Sequence, residues 1–509
     1  MNTDRAQYLC VCALAFGGSV TALVFGMPWV AGIAAVVGFL QLCNVIGPQV
    51  DMPDEGGRHV LKMLGMTWTL DEFLTHWCIV QRSGHGKTAG VIRTMFSQLM
   101  VTIPNFGCIA IDEKANFHLV LGKICKAFKR PEKLIVLRPR RPGRDLDIPI
   151  THMMNFIGDR TIPWDTYAQL VIDTAVACGQ KTNNAFFKNQ GRKTISNLFQ
   201  TLDAIGITPT LADAYDFIAD DRTYNEALER LQLKASESER CAELLSFWAS
   251  FDKKAPEEKS GIKSTTELYL APYATDELRD VFSSDTPNVT LDCVDKGFIL
   301  CPSIPQAYLS QRRYITAWFK LAGYYHLLRR FDDYSEEEHA KLTPVILLAD
   351  EGQNSLLCSE EGLADHNTLD KIREARGTLI LAMQSYSSAL PPLDGKKEIA
   401  EVVFTNLNNH VIGAIRDETG REMAANVFGK EWQRDKSWSF GAMNNTTSVR
   451  QELRHIFHTG IFTRLPKFRA IIFHVEGRWT QGYLYPRTDD GRKISPRFRY
   501  MFWKRIFGV

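Results

Sequence analysis

Residues 76–102 constrain the fold more than any other stretch. A short apolar run, His76-Trp77-Cys78-Ile79-Val80, passes through Gln81-Arg82-Ser83-Gly84-His85-Gly86-Lys87-Thr88 into Ala89-Gly90-Val91-Ile92-Arg93-Thr94-Met95-Phe96. The order is strand, glycine turn, helix. Backbone N–H groups converge on an anion where the chain can take positive φ, which Gly84 and Gly86 allow, and a helix N-terminus adds a favourable dipole. A triphosphate suits this pattern. Ser83, Gly84, His85 and Gly86 would cradle it, Lys87 would reach its β- and γ-phosphates, and Thr88 would hold Mg²⁺. The usual loop reads G-x-x-x-x-G-K-[ST], and Gln81 stands where its first glycine belongs.

At 509 residues the chain has room for about three domains. With 45% apolar and 23% charged residues it is an ordinary folded protein, which excludes global disorder. A formal charge of +2 gives no whole-chain attraction to nucleic acid, so any such contact must be local. The eleven cysteines are scattered without the spacing of a zinc or redox site, as in a reducing cytoplasm. Cys78 and Cys108 fall in apolar runs and read as buried structural thiols.

Residues 6–50 contain no Asp, Glu, Lys or Arg. A spanning helix needs ~20 apolar residues, so this length predicts a two-helix transmembrane hairpin turning near Gly26-Met27-Pro28. A cleaved signal peptide has an apolar region of only ~7–15 residues and no second span after it. The nucleotide loop that follows requires both ends of the hairpin to face the cytoplasm.

Beyond it, strand and helix alternate. Residues 106–111 and 134–137 read as strands with a helix over 115–128 between them, which predicts a parallel sheet. Asp112 and Lys114 sit just past a strand's carboxyl end, where either a ligand or a solvated turn accounts for them. From about 159 to 270 strand patterns give way to helical ones, as at 185–202 and 223–245, and charge-rich residues 252–264 close the stretch. Strands resume at 297–300. The expected organisation is a transmembrane hairpin at 1–50, a first part of the nucleotide-binding domain at 51–158, an all-helical insertion at 159–270 and a second part at 271–509.

The second chemical signal is Pro344-Val345-Ile346-Leu347-Leu348-Ala349-Asp350-Glu351, a buried strand ending in two carboxylates. Neighbouring strand residues point to opposite sides, so Asp350 can order the water shell of Mg²⁺ while Glu351 polarises the attacking water. A third strand at 378–383 ends in Gln384-Ser385, either a γ-phosphate sensor or a loop cap. Arg373 and Arg376 precede it; either could reach a neighbouring subunit's phosphate, or both belong to a solvated helix end. Two basic stretches, Lys126 to Arg144 and Arg492 to Arg505, suit a phosphate backbone, anionic lipid or plain solvent.

Together these features resemble one family, the conjugative coupling proteins of type IV secretion (TraG/TraD type). The likeness rests on membrane helices, a phosphate loop, a helical insertion, Ile346-Leu347-Leu348-Ala349-Asp350-Glu351, Arg373 and Leu381-Ala382-Met383-Gln384-Ser385. It extends through Asp112-Glu113-Lys114, 410–417, 418–429 and Leu465-Pro466. The resemblance implies an α/β, RecA-like P-loop ATPase at the bacterial inner membrane. It implies a homo-hexamer that uses ATP and Mg²⁺ to hand DNA, or a relaxase–DNA complex, to the channel components. It implies roles for Lys87 and Thr88 on phosphate and Mg²⁺, Asp350 and Glu351 on Mg²⁺ and water, Gln384 as sensor, and Arg373 as the arginine finger. Gln81, the short link between membrane helices and the lack of a long carboxyl-terminal tail depart from the family pattern. The competing readings are an FtsK-like DNA pump, and a membrane scaffold that binds nucleotide without hydrolysis, for which Gln81 is the main support.

Overall fold

The computed structural model describes residues 58–494 apart from 146, 181–184, 237, 360–361, 394 and 441–444. The hairpin expected over 6–50 and the second basic stretch beyond 494 lie outside the described residues. Among the described residues, no helix is long and apolar enough to cross a membrane.

Strands β1 (Leu61–Met63) and β2 (Met66–Trp68) form a small hairpin. They are followed by β3 (Trp77–Val80), β4 (Gly107–Asp112), β5 (Leu134–Leu137), β6 (Ile299–Pro302), β7 (Val345–Asp350), β8 (Gly377–Met383) and β9 (Asn409–Ile412). Then come β10 (Lys430–Phe440), β11 (Asn445–His455), β12 (Arg469–Phe473) and β13 (Trp479–Tyr483). Strands β10 and β11 pair only with each other, while the remaining nine form one sheet in the order β13-β12-β9-β3-β8-β7-β4-β6-β5. From β9 to β5 every pairing is parallel, and β12 and β13 close one edge antiparallel. The parallel α/β architecture read from the alternation is therefore present.

A parallel sheet must be covered on both faces, and the side chains divide accordingly. Trp77, Ile79, Ile346, Leu348 and Ile380 join one buried cluster with the helix Arg93–Thr102. Cys78, Val80, Leu347, Ala349 and Leu381 join the other, which includes the long helix Leu309–Asp333 and the helical insertion. The alternation follows the two-residue period of a strand.

Between β5 and β6 the described residues hold helices and no strand. The helical pattern over 223–245 resolves into two helices, Asp221–Lys234 and Glu239–Asp252, because Ser238 accepts from the Cys241 N–H and starts the second. Residues 252–264 do not end the stretch: Pro256 opens the helix Pro256–Leu270, with Glu257 and Glu258 in its first turn favoured by the dipole. The insertion's apolar residues run into the cluster on the sheet, so it braces that face as one continuous core. Trp248 anchors it, packing at an angle to Phe217 and edge-on to Tyr224 while its indole N–H donates to Thr201 at 2.8 Å.

Candidate functional site

The phosphate-type loop leaves the carboxyl end of β3 with positive φ at Gly84 (74°) and Gly86 (109°). The first helical turns, Lys87–Ile92, are π-helical, with the Arg93 N–H bonded to the Thr88 carbonyl. The loop is packed from outside by a segment far along the chain. An added Cβ on Gly86 would lie 2.2 Å from the Phe468 ring, and the Phe468 N–H donates to the His85 carbonyl at 3.0 Å. The Arg487 N–H donates to the Ala89 carbonyl at 2.8 Å, fixing the same turn from its other end. Neither contact is legible in the sequence, since both depend on how β12 and β13 fold back.

Strand order brings the charged residues to this loop, because β8 lies between β3 and β7 and the carboxyl ends align. The Lys87 ammonium is buried, makes no hydrogen bond, and stands 3.8 Å from Asp350 Oδ1 and 3.7 Å from Glu351 Oε1. Burial pulls its pKa down and the two carboxylates partly restore it. Asp350 is held above the usual carboxylate range by burial, against the pull of Lys87. Glu351 lies just beyond β7 with φ 56°, so the alternation assumed from the strand fails there: both carboxylates approach the same lysine. Left-handed backbone at a non-glycine residue is costly and marks a position whose side-chain direction the surroundings dictate.

Three further groups hold Glu351. Lys114 Nζ donates to Oε1 at 2.6 Å, and the Gln353 and Gln384 amides donate to Oε2 at 3.0 and 2.9 Å. Burial opposes ionisation, yet these bonds and Lys87 outweigh it and bring the carboxyl down to about 2. Gln384 thus meets the carboxylate expected of its neighbouring strand. Lys114, which sequence reasoning left open, is thereby placed beside Lys87 and the two carboxylates. Its companion Asp112 does something else: it accepts from the Phe117 and His118 N–H groups at 2.9 and 3.2 Å and so caps the helix Phe117–Ala127.

Cationic groups surround the loop. Burial, then the charges of Arg82, Lys467 and Arg416, hold the His85 imidazole below its ordinary pKa. A site with buried, unsatisfied Lys87, a positive surround and two carboxylates suits a polyanion with a divalent cation: the Lys87 ammonium has no hydrogen-bond partner, and the carboxylates of Asp350 and Glu351 stand beside it. Ser83 and Gly84 are exposed at the loop's tip, and Thr88 is half-buried at the start of the helix.

Arg373 lies elsewhere. It is exposed on the helix Asp365–Glu374 and lines a recess with Asp71, Thr75, Arg376 and Glu476. Thr75 precedes β3 and Arg376 precedes β8, so this recess is at the amino ends of the strands, the opposite edge from Lys87. The denser basic stretch is partly structural. Lys133 is buried, donating to the carbonyls of Pro104, Phe106 and Gly297, and Arg138 donates to Ala115 and Ser303. Cys78 and Cys108 are fully buried, as expected, and burial pushes both thiols up.

No protein-family model and no curated protein matches this sequence. Solved structures do match. The bacterial conjugative coupling protein TrwBdeltaN70 in its unbound monoclinic form aligns with a TM-score of 0.61 and 15% identity over 87% of this chain and 92% of its own. Its trigonal form in complex with sulphate gives 0.58 and 14% over 87% and 96%. VirB4 of Thermoanaerobacter pseudethanolicus gives 0.47 and 13% over 87% and 98%. At such identities the likeness concerns the fold: over most of its length this chain is folded like a bacterial conjugative coupling protein.

Proposed function

We propose that this chain is a Mg²⁺-dependent ATPase of the conjugative coupling type, anchored at the inner membrane through residues 6–50, which couples hydrolysis to delivery of DNA or nucleoprotein into a type IV secretion channel. The observation that carries the reading is the Lys87 ammonium, buried without a hydrogen bond between Asp350 and Glu351 beside a loop of positive-φ glycines. Backbone donors of Ser83, Gly84, His85 and Gly86 bind the phosphates, and Lys87 neutralises the β- and γ-oxygens. Thr88 and Asp350 would hold Mg²⁺, which when bound neutralises charge developing on the phosphates. Glu351, ionised throughout the physiological range, orients the attacking water, and Gln384 fixes that carboxylate.

Arg373 acts on a neighbour's nucleotide. Within one chain it is on the wrong edge of the sheet, but in a head-to-tail ring the amino edge of one subunit meets the carboxyl edge of the next. A homo-hexamer of this kind would pass its cargo, DNA or a relaxase–DNA complex, through the assembly. Gln81, the main support for the scaffold reading, is built into the loop by specific contacts.

ATP turnover by the full-length chain in detergent, with and without Mg²⁺, tests the reading. Lys87→Ala abolishes both turnover and the rise in thermal midpoint that ATP produces. Saturation at 100 times Kd is worth about 2.7 kcal/mol of stability, well within reach of calorimetry. Undiminished turnover in Lys87→Ala contradicts the assignment.

A further inference from the structure

Gln81 occupies the place where a phosphate loop ordinarily begins with glycine, and the structure gives it a definite set of contacts. It is 3% exposed. Its backbone N–H donates to the Met383 carbonyl at 3.1 Å, at the end of β8, and its side-chain Nε2 donates to the His85 carbonyl at 2.7 Å. Directly across lies Gly413, just past β9, whose N–H donates to the Val80 carbonyl at 2.8 Å. An added Cβ on Gly413 would lie 2.6 Å from Gln81 Cγ and 2.8 Å from Cδ. The missing side chain at 413 is the space that the glutamine fills.

The His85 carbonyl is the sensitive point of the loop. The peptide joining His85 to Gly86 is flanked by a glycine at φ 109°, and glycine accepts either orientation of such a peptide at little cost. If this peptide flips, a carbonyl replaces an N–H at the face that must meet phosphate oxygens, exchanging attraction for repulsion. Two donors hold the carbonyl away from that face: Gln81 Nε2 at 2.7 Å and the Phe468 N–H at 3.0 Å. In a loop that begins with glycine no side chain is present to make the first bond.

We propose that Gln81 is a positioning residue that latches the His85–Gly86 peptide in its phosphate-accepting orientation, with Gly413 as the paired vacancy that admits it. The proposal rests on the phosphate-loop reading of the site. It gives a positive role to the residue that, in the sequence, only departs from the usual loop pattern. Here Gln81→Gly removes the latch and leaves Gly413 facing an empty slot.

The test measures the Kd of a fluorescent ATP analogue, together with KM and kcat for ATP, on the full-length chain and five variants. Gln81→Gly should weaken binding about 10-fold, the size expected for a lost hydrogen bond that orders a binding loop, with the loss in KM more than in kcat. Gln81→Met, which keeps the length and removes the N–H, should do the same. Gly413→Ala should copy both by displacing the glutamine. The double variant Gln81→Gly with Gly413→Ala should be no worse than either alone, since one interaction can be lost only once. Binding by Gln81→Gly or Gln81→Met equal to or tighter than wild type overturns the proposal, as do losses that multiply in the double variant. Should Gly413→Ala not fold, the two Gln81 variants decide alone. Lys87→Ala separates the levels: binding that depends on Lys87 but not on Gln81 rejects the latch only, while binding indifferent to Lys87, or absent from the wild type, rejects the phosphate-loop reading and the latch with it.

Discussion

The Gln384 side-chain amide donates to Glu351 Oε2 at 2.9 Å, so the end of β8 grips the carboxylate at the end of β7. The two residues come from adjacent strands whose register, Asp350 opposite Ala382, leaves them side by side beyond the sheet. Any shift of β8 relative to β7 is therefore transmitted to the Glu351 carboxylate.

Gln384→Ala leaves Oε2 of Glu351 with the Gln353 amide alone and loosens the carboxylate. Misplacing a reacting group by about 1 Å can cost ~10²-fold in rate, so kcat should fall by about that factor while nucleotide affinity holds. Steady-state kinetics beside nucleotide titration separates the two. Equal losses in binding and turnover would mean that Gln384 serves the loop and not the water.

The pH profile reads the surroundings of Glu351. Its folded carboxyl, brought to about 2, lies below the unfolded value of 4.5, so its contribution to stability is complete above that value and is lost as pH falls toward about 2. The wild-type rate should show no acid limb from Glu351 between pH 5 and 8. Lys114→Met removes the 2.6 Å bond and should move the limb up toward the ordinary carboxylate range. Superimposable acid limbs in the two proteins would contradict the role given to Lys114.

Lys320 and Asp365 form an ion pair with no solvent exposure on either side chain. Lys320, on the long helix Leu309–Asp333, also donates to the Ser355 carbonyl at 2.7 Å, while Asp365 opens the helix that carries Arg373. Asp365→Ala strands a buried ammonium and should cost about 3–5 kcal/mol, measured by denaturant unfolding. The double change Lys320→Met with Asp365→Leu should recover only part of it, because the buried Tyr324 hydroxyl and the Leu357 N–H lose Asp365 as their acceptor. A single variant within ~1 kcal/mol of wild type would mean that water reaches the pair.

Sequence reasoning reached the sheet and several of the residues that meet at its carboxyl end because those signals are local. Apolar runs such as Val345–Asp350 are buried on both faces, and a strand's chemistry sits at its carboxyl end, so Lys87, Asp350 and Gln384 could be placed without knowing their neighbours. It failed where a residue's meaning depends on a distant partner. Gln81 looked like a defect because Gly413 and the His85 carbonyl give it its place. Lys114 stood open between a ligand site and a solvated turn, because the Glu351 that β7 brings to it is distant in sequence. The packing of Phe468 on Gly86 has no sequence signature, since it depends on β12 returning antiparallel beside β9. The break between Asp221–Lys234 and Glu239–Asp252 was hidden by helical periodicity that continues through it.

The central claim is that one catalytic site is built from two subunits, and it is tested most directly by mixing two inactive proteins. Arg373→Ala retains its loop but offers no finger; Lys87→Ala retains the finger but cannot hold phosphate. A finger supplied in trans is worth ~10³–10⁵ in rate, so each variant alone should be nearly silent. Mixed, they form some interfaces in which an intact loop meets an intact arginine, and ATP turnover should return to a measurable fraction of wild type. It should rise with total protein concentration and with added DNA. Turnover in the mixture equal to the sum of the separate variants at every concentration would contradict the shared site.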